Sequence, residues 1–399
     1  MSARRLITSL LTCFLLSACG GAAPGSSPAS SPPAPTSAAA AAAPPASQAA
    51  PAPSVASASV SSDAQARLAP LNPLVNIHLL YDGTVYQNAT YTAIERGYFK
   101  DEGLAVDANL VPSFAAELPT LASGQTDVGW LPAGDPGFFN ALGRGVKMHL
   151  TACFTYTNSS GFSQNGAGFV VRQDLIDSGK YKGPADLKGL NIGLFGPSAN
   201  LGDYYLEKWL ATGQLTLKDF NRVSLTPPDV VAALANKKVD AAFAASPFIQ
   251  IIQNQHTATL VQKVADIADG VCAMELVFSD NFATNQPEAA RRFMAAWLRG
   301  ARDLYLPLYK SQGSMDDVLK TLTHFTAVKD PAQYQSLVAA KAIGDYDPNG
   351  GPLSSWPQRA ADYQDFFVRM GLQKQKVDVA NVIDQSFLNY ALQRLGRLS

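Results

Sequence analysis

The sequence predicts an α/β fold divided into two lobes, and two observations carry that expectation. Short apolar strands alternate with helical stretches from Val75 onward, the pattern of parallel sheets joined by crossover helices. About 330 residues follow a non-globular N-terminus, more than a single hydrophobic core usually spans. Charge is balanced across the 399 residues, with 31 Lys plus Arg against 32 Asp plus Glu. That balance excludes a basic nucleic-acid binder and an acidic disordered tail.

The N-terminal segment reads as an address. Residues 1–18 carry Arg4 and Arg5 and then an apolar run from Leu6 to Leu16, too short to span a bilayer about 30 Å thick but ordered like a signal peptide. Leu16-Ser17-Ala18-Cys19 resembles the lipobox of bacterial lipoproteins, which implies cleavage before Cys19 and acylation of its thiol; the alternative is an ordinary secretory signal. Residues 19–70 form a tether: from Gly20 to Ser62 there are 16 Ala, 9 Pro and 11 Ser and no charged or aromatic residue. Such a segment cannot build a core, and as a flexible chain it spans about 35 to 40 Å. No other run of about 18 apolar residues occurs, so no transmembrane helix is expected in the body. Only Cys153 and Cys272 remain there, enough for one disulfide or two buried thiols but not for a four-cysteine metal site.

Within the body, Val75 to Leu80 predicts a strand and Tyr86 to Arg96 a helix that Gly97 ends. Strand, helix and strand follow at 104–111, 114–122 and 127–131. Asp135 before Pro136 is an N-cap with proline at the first helical position, opening a helix through Phe138, Phe139 and Leu142. A strand at 146–153 leads into a polar loop at 156–165. Strands at 168–172, 191–194, 222–225 and 241–244 then alternate with helices at 199–211, 229–235 and 247–253. From Pro287 the pattern is helical, with a proline break at 306–308, and this C-terminal third is expected to pack on the first lobe. No internal repeat of fixed period is visible. The expected division is 71–165 with 280–399 as the first lobe and 166–279 as the second.

Four segments resemble one family. Ala93-Ile94-Glu95-Arg96-Gly97-Tyr98-Phe99 through Val106, Leu121 to Gly129, Asp186 to Gly193 and Val230 to Ala242 are similar, in that order, to signatures of the solute-binding proteins of ABC importers for nitrate, aliphatic sulfonates, taurine and thiamine-pyrimidine precursors. The resemblance covers about residues 75 to 300. It implies a type 2 periplasmic-binding-protein fold: two α/β lobes, joined by crossing strands, that close on a ligand between them. Apart from the family, Gly97 and Gly103 permit a tight helix exit and a turn into the next strand. Tyr98 and Phe99 are expected in the core, and Asp127 and Asp240, each opening an apolar strand, as turn caps.

Ligands of open α/β sheets sit beyond the carboxyl ends of the strands. That rule selects Tyr81, Asp82 and Asn88 after the first strand, Trp130, Pro132, Ala133 and Asp135 around the third, Gly196, Ser198, Ala199, Asn200 and Tyr204 in and after the loop 193–200, and Ser246. The loop 193–200 precedes a helix whose unpaired N–H groups suit a sulfonate, carboxylate, nitrate or ring acceptor; Ser198 caps that helix or touches ligand. Tyr81 and Trp130, with the carboxylates of Asp82 and Asp135, favour instead a flat or amine-bearing ligand. Asp135 is also explained as an N-cap and Asp82 as a turn residue. Pro247 fits the family pattern, but Ser246 stands where an aromatic or acidic residue often precedes it.

No catalytic residue, cofactor or metal is expected. The four histidines, His78, His149, His256 and His324, are scattered, no cysteines cluster, and neither GxSxG nor GxxxxGK[ST] occurs. The expected role is the lipid-anchored receptor of an ABC importer, in the cell envelope on the outer face of the cytoplasmic membrane or in the periplasm. It would be a monomer that captures a small organic solute and delivers it to a permease and its ATPase, without nucleic acid. A lipid-anchored sensor for a signalling receptor and a thiamine-pyrimidine synthase-like enzyme are the alternatives.

Overall fold

The computed structural model describes residues 68–398 except 82, 112–113, 133, 157–165, 197–198, 269–271, 327, 340–342, 344 and 352. The signal peptide, Cys19 and nearly all of the tether therefore lie outside the described residues. The strands are β1 (Val75–Tyr81), β2 (Leu104–Leu110), β3 (Val128–Leu131), β4 (Met148–Tyr156), β5 (Ala167–Arg172), β6 (Asn191–Phe195), β7 (Asn221–Leu225), β8 (Ala241–Ala245), β9 (Ala258–Lys263), β10 (Cys272–Ser279) and β11 (Asp345–Tyr346).

They form two mixed sheets, ordered β11-β4-β10-β3-β1-β2 and β7-β6-β8-β5-β9. In the first, β1 pairs in parallel with β2 and β3, and β10 runs antiparallel beside β3. In the second, β6 pairs in parallel with β7 and β8, and β5 runs antiparallel beside β8. The short apolar runs β3 and β8 lie at the buried centre of their sheets, as continuous apolar strands do when both faces are covered.

The lobes repeat one hydrogen-bonded unit. Asp127 Oδ2 accepts from the His78 amide at 2.8 Å, and Asp240 Oδ2 accepts from the Asn191 amide at 2.9 Å. Each aspartate amide donates back to the same partner's carbonyl. The segments 121–127 (LASGQTD) and 234–240 (LANKKVD) each lead into this unit, with Gly124 and Lys237 both left-handed at φ 73° and 57°. The sequence alone hides this duplication. Both aspartates were expected to cap turns; each carboxylate instead bonds a backbone amide of the neighbouring strand, β1 or β6.

Three expectations need correction. First, β10 pairs with β3 and β4, so 272–279 belongs to the first lobe. An apolar strand does not announce which sheet it joins. Cys153 on β4 and Cys272 on β10 form a disulfide with Cα atoms 5.9 Å apart, 119 positions apart in sequence; the loop it closes contains the whole second sheet.

Second, the helix Pro287–Lys310 continues through Pro307. The proline falls in the last turn, where it removes a single backbone bond near the helix end. This helix lies directly on Asn88–Glu95, and a Cβ on Gly300 would come 2.3 Å from the Ala89 carbonyl oxygen.

Third, the C-terminal segment packs on both lobes. In the helix Trp356–Arg369, Trp356 meets Phe138 and Phe139 of the first lobe at 6.2 and 6.4 Å, and Phe367 meets Phe139 at 6.4 Å. On its other side Tyr363 and Phe366 meet Tyr204 of the second lobe at 5.0 and 5.6 Å. One apolar cluster consequently runs from Phe139 through this helix to Phe169 and Trp209. No helix among the described residues is long and apolar enough to cross a membrane.

Candidate ligand-binding site

The carboxyl ends of the two sheets meet at the helix Trp356–Arg369. Gly134, just beyond β3, lies so close that a Cβ there would come 2.7 Å from Tyr363 Cε2 and 3.2 Å from Leu201 Cδ1, just beyond β6. Glycine is required at this approach because any side chain would push the lobes apart.

On the first lobe, Tyr81 stands edge-on to Tyr91 at 5.5 Å, and the Tyr91 hydroxyl donates to Gln87 Oε1 at 2.9 Å. Asn88 is buried at the start of the helix Asn88–Glu95. Trp130 does not face a ligand: it is buried with its ring 5.9 Å from Trp297, and its amide donates to Glu117 Oε2. Trp297 of the helix Pro287–Lys310 covers it on that face of the sheet. Pro132 is half-buried at the strand end. Asp135 is the N-cap that its sequence context predicts, accepting from the Gly137 amide at 2.9 Å; burial raises its carboxyl above the ordinary range, and that hydrogen bond opposes the shift. Asp82 and Ala133 lie outside the described residues.

On the second lobe the loop after β6 is closed by its own side chains. Asn200, not Ser198, caps the helix Leu201–Thr212: its Oδ1 accepts from the Gly202 amide at 2.8 Å while Asp203 Oδ2 accepts from the Asn200 amide at 3.1 Å. This reciprocal box satisfies donors expected to meet an anion. Arg222 forks onto Asp203 at 3.0 and 3.1 Å and donates to the Gly196 carbonyl at 2.8 Å. Ala199 is half-buried beside the cap, and Ser198 lies outside the described residues. Tyr204 packs on the C-terminal helix, with Lys208 Nζ 4.9 Å from its ring centre. Ser246 donates to Gln250 Oε1 at 3.0 Å, and Gln250 Nε2 is buried without an acceptor.

Three further residues converge on the junction. Glu275 on β10, opposite Leu131 and Cys153, is 2% exposed. It acts electrostatically on Tyr205 and Tyr363, which are 7% and 3% exposed with hydroxyls 3.5 Å apart. Burial pushes the Tyr205 hydroxyl up to about 12 and that of Tyr363 well above its ordinary value, so both stay protonated. An acid inside the apolar run Cys272–Ser279 was the available sequence signal for Glu275.

Residues 85–306 match the family model described as NMT1/THI5 like. A Brucella abortus protein named as a binding protein is 28% identical over 215 residues, 53% of this chain and 61% of its own length. The chain thus spans less than two thirds of that curated relative. Among solved structures, the periplasmic aliphatic sulphonate binding protein SsuA from Escherichia coli superposes with a TM-score of 0.62 at 16% identity, covering 79% of this chain and 99% of that one. The periplasmic nitrate-binding protein NrtA from Synechocystis PCC 6803 gives 0.65 at 14%, covering 81% and 89%. The desulfurization enzyme DSZB gives 0.57 at 19%, covering 80% and 99%. These likenesses establish the two-lobed periplasmic-binding-protein fold.

Proposed function

The chain belongs to the NMT1/THI5-like family, and from that premise we propose that it is the solute-binding component of an ABC importer. It captures a small organic solute between its lobes and presents the closed form to a permease and its ATPase. The observation that carries this reading is the meeting of two sheet carboxyl ends at one junction, with Gly134 against Tyr363 and Leu201. Tyr81, Asn88, Pro132, Asn200, Tyr204 and Ser246 are the described residues of the expected set proposed to line or support that junction. The reading is of a binding protein and not an enzyme, and the Brucella relatives named as binding proteins support it.

Cys19 is proposed as the acylated anchor, with the Ala/Pro/Ser segment as tether, which holds the protein as a monomer in the cell envelope. A thermal-shift screen over sulfonates, taurine, nitrate, pyrimidines and aromatic carboxylates tests the binding role, with ligand-dependent stabilisation as the expected outcome. Turnover of a solute by the isolated protein would overturn it. Cys19→Ala should release the protein from membranes, and continued retention would refute lipid anchoring.

A further inference from the structure

Gln250 is 8% exposed, and its amide is half used: Oε1 accepts from the Ser246 hydroxyl at 3.0 Å, whereas Nε2 is buried with no acceptor. Leaving a buried donor unpaired costs more than an ordinary hydrogen bond gains, so native folds seldom keep one without a use. The helix sets where this donor lies. Side chains lean toward the N-terminus of the helix that carries them, and Ser246 stands four residues earlier, ahead of the helix Phe248–Asn254. The bond between them therefore holds the amide at the carboxyl end of β8, while the fully buried Ile249 and Ile252 fix the helix in the second lobe's core. The Ser246 amide donates to the Gly166 carbonyl at 2.8 Å, which pins that strand end beside the entry to β5. This is the end of the sheet that faces the lobe junction. β8 runs parallel to β6, so their carboxyl ends lie together. The helix after β6 starts at Leu201, whose Cδ1 is 3.2 Å from the place of a Cβ on Gly134 of the first lobe, and a Cβ on Gly202 would come 3.7 Å from Phe243 Cδ1 on β8. Close approaches thus lead without a gap from the first lobe to the strand that ends in Ser246.

Resting on the binding-protein reading, we infer that Gln250 is a recognition residue of the second lobe, whose Nε2 donates to an oxygen of the captured solute: a carbonyl, carboxylate or sulfonate oxygen. Ser246 is its positioning residue, because the hydroxyl that engages Oε1 turns the amide nitrogen away from the strand end. The donor is uncharged, so this subsite demands an acceptor and selects no charge. A solute whose polar groups are all donors leaves it unsatisfied.

The test joins the stability of the ligand-free protein to binding, both on the full mature chain. Ser246→Ala combined with Gln250→Met replaces both hydrogen-bonding partners by apolar groups of similar size and removes the unpaired donor, so its urea midpoint should equal or exceed that of the wild type. A midpoint lowered in that variant, and equally in Ser246→Ala combined with Gln250→Leu, would mean that a trapped water already satisfies the donor, and would overturn the inference. Isothermal titration then compares ethanesulfonate, benzoate and uracil, which bear oxygen acceptors, with benzylamine and tetramethylammonium, which bear none. At least one acceptor-bearing probe should bind, and Gln250→Met should weaken it by about 10- to 100-fold for an anion and about 3- to 10-fold for uracil. Affinity unchanged in Gln250→Met, or binding of the amine probes alone, would overturn the inference and leave the binding-protein reading intact. Binding of no probe would count against that reading, and the inference would fall with it.

Discussion

Replacing Cys153 and Cys272 together by Ala removes a bridge whose loop contains the whole second sheet. The two positions are 119 apart in sequence, and closing a loop of that length corresponds to about 5 kcal/mol of lost chain entropy in the unfolded state at room temperature. This is a ceiling, because a denatured chain that keeps residual structure gains less freedom when the bridge is absent. The expected loss is therefore about 2 to 5 kcal/mol in the free energy of unfolding by urea. A larger m-value should accompany it, since the uncrosslinked chain exposes more surface. Reductant should bring the wild-type transition close to that of the variant and leave the variant unmoved. A loss under about 1 kcal/mol would refute the reasoning, for it would mean that the lobes and not the bridge already fix the crossing strands.

Glu102 is buried and receives Arg394 through two bonds of 2.8 Å, with Arg292 at 3.9 Å; Glu102→Gln strands buried guanidinium charge and should destabilise by about 3 to 5 kcal/mol. Chemical denaturation reads it, and an unchanged midpoint contradicts the burial argument. Asp127→Ala should cost about 1 to 3 kcal/mol, and Asp240→Ala more, because Asp240 also pairs with the largely buried Arg172 at 3.2 Å; a smaller loss at Asp240 than at Asp127, read by urea denaturation, would contradict this. His149 bonds Asp384 and Asp280 at 3.1 Å each. Its hydrogen bond to Asp384 raises it above the ordinary 6.5, and the same bond lowers Asp384 to about 2. The raised histidine stabilises below pH 6.5 and loses its contribution as pH rises through its folded value, while the depressed aspartate stabilises above pH 3.8 and loses its contribution as pH falls toward 2. The stability difference between wild type and His149→Gln should therefore be largest between about pH 4 and 6.5; a difference independent of pH from acid to alkaline solution would be incompatible with this pairing.

What was legible in the sequence was mostly local. Asp135 before Pro136 caps its helix, Gly97 takes the left-handed conformation at its helix exit, and Phe99 stacks on Phe293, because each depends on neighbours in the chain or on simple burial. The duplication was hidden because 121–127 and 234–240 share only Leu, Ala and Asp, while the shared element is a carboxylate bonded to a backbone amide on another strand. Trp130, at a strand end, points to the cleft by sequence position, yet its ring is buried against Trp297 from a helix more than 150 residues later. The cap at Asn200 was readable: Asn three residues before Asp203 is a capping-box spacing, and Ser198 simply came first in the loop. Glu275, Tyr205 and Tyr363 come from three distant segments, and only the tertiary pairing brings them together.

The helix Trp356–Arg369 determines where the lobes can part. On the first-lobe side, Trp356 and Phe367 are buried against Phe138 and Phe139, and Asn140 donates to the Leu372 carbonyl at 2.8 Å just beyond the helix. Aromatic pairs of this kind add about 0.5 to 1.5 kcal/mol each beyond the area they bury. On the second-lobe side the polar tie is the Arg369–Glu207 pair, whose arginine is more than half exposed; such a pair contributes about 0 to 1 kcal/mol. The Tyr205 and Tyr363 hydroxyls, 3.5 Å apart, add little more. Tyr363 and Phe366 also meet Tyr204 of the second lobe at 5.0 and 5.6 Å, closer than the first-lobe aromatic contacts, so the helix is held to both lobes. Any parting of the lobes between this helix and Leu201–Thr212 must break the Tyr204 contacts to Tyr363 and Phe366 and the Arg369–Glu207 pair together, and it opens the close approach of Gly134 to Leu201.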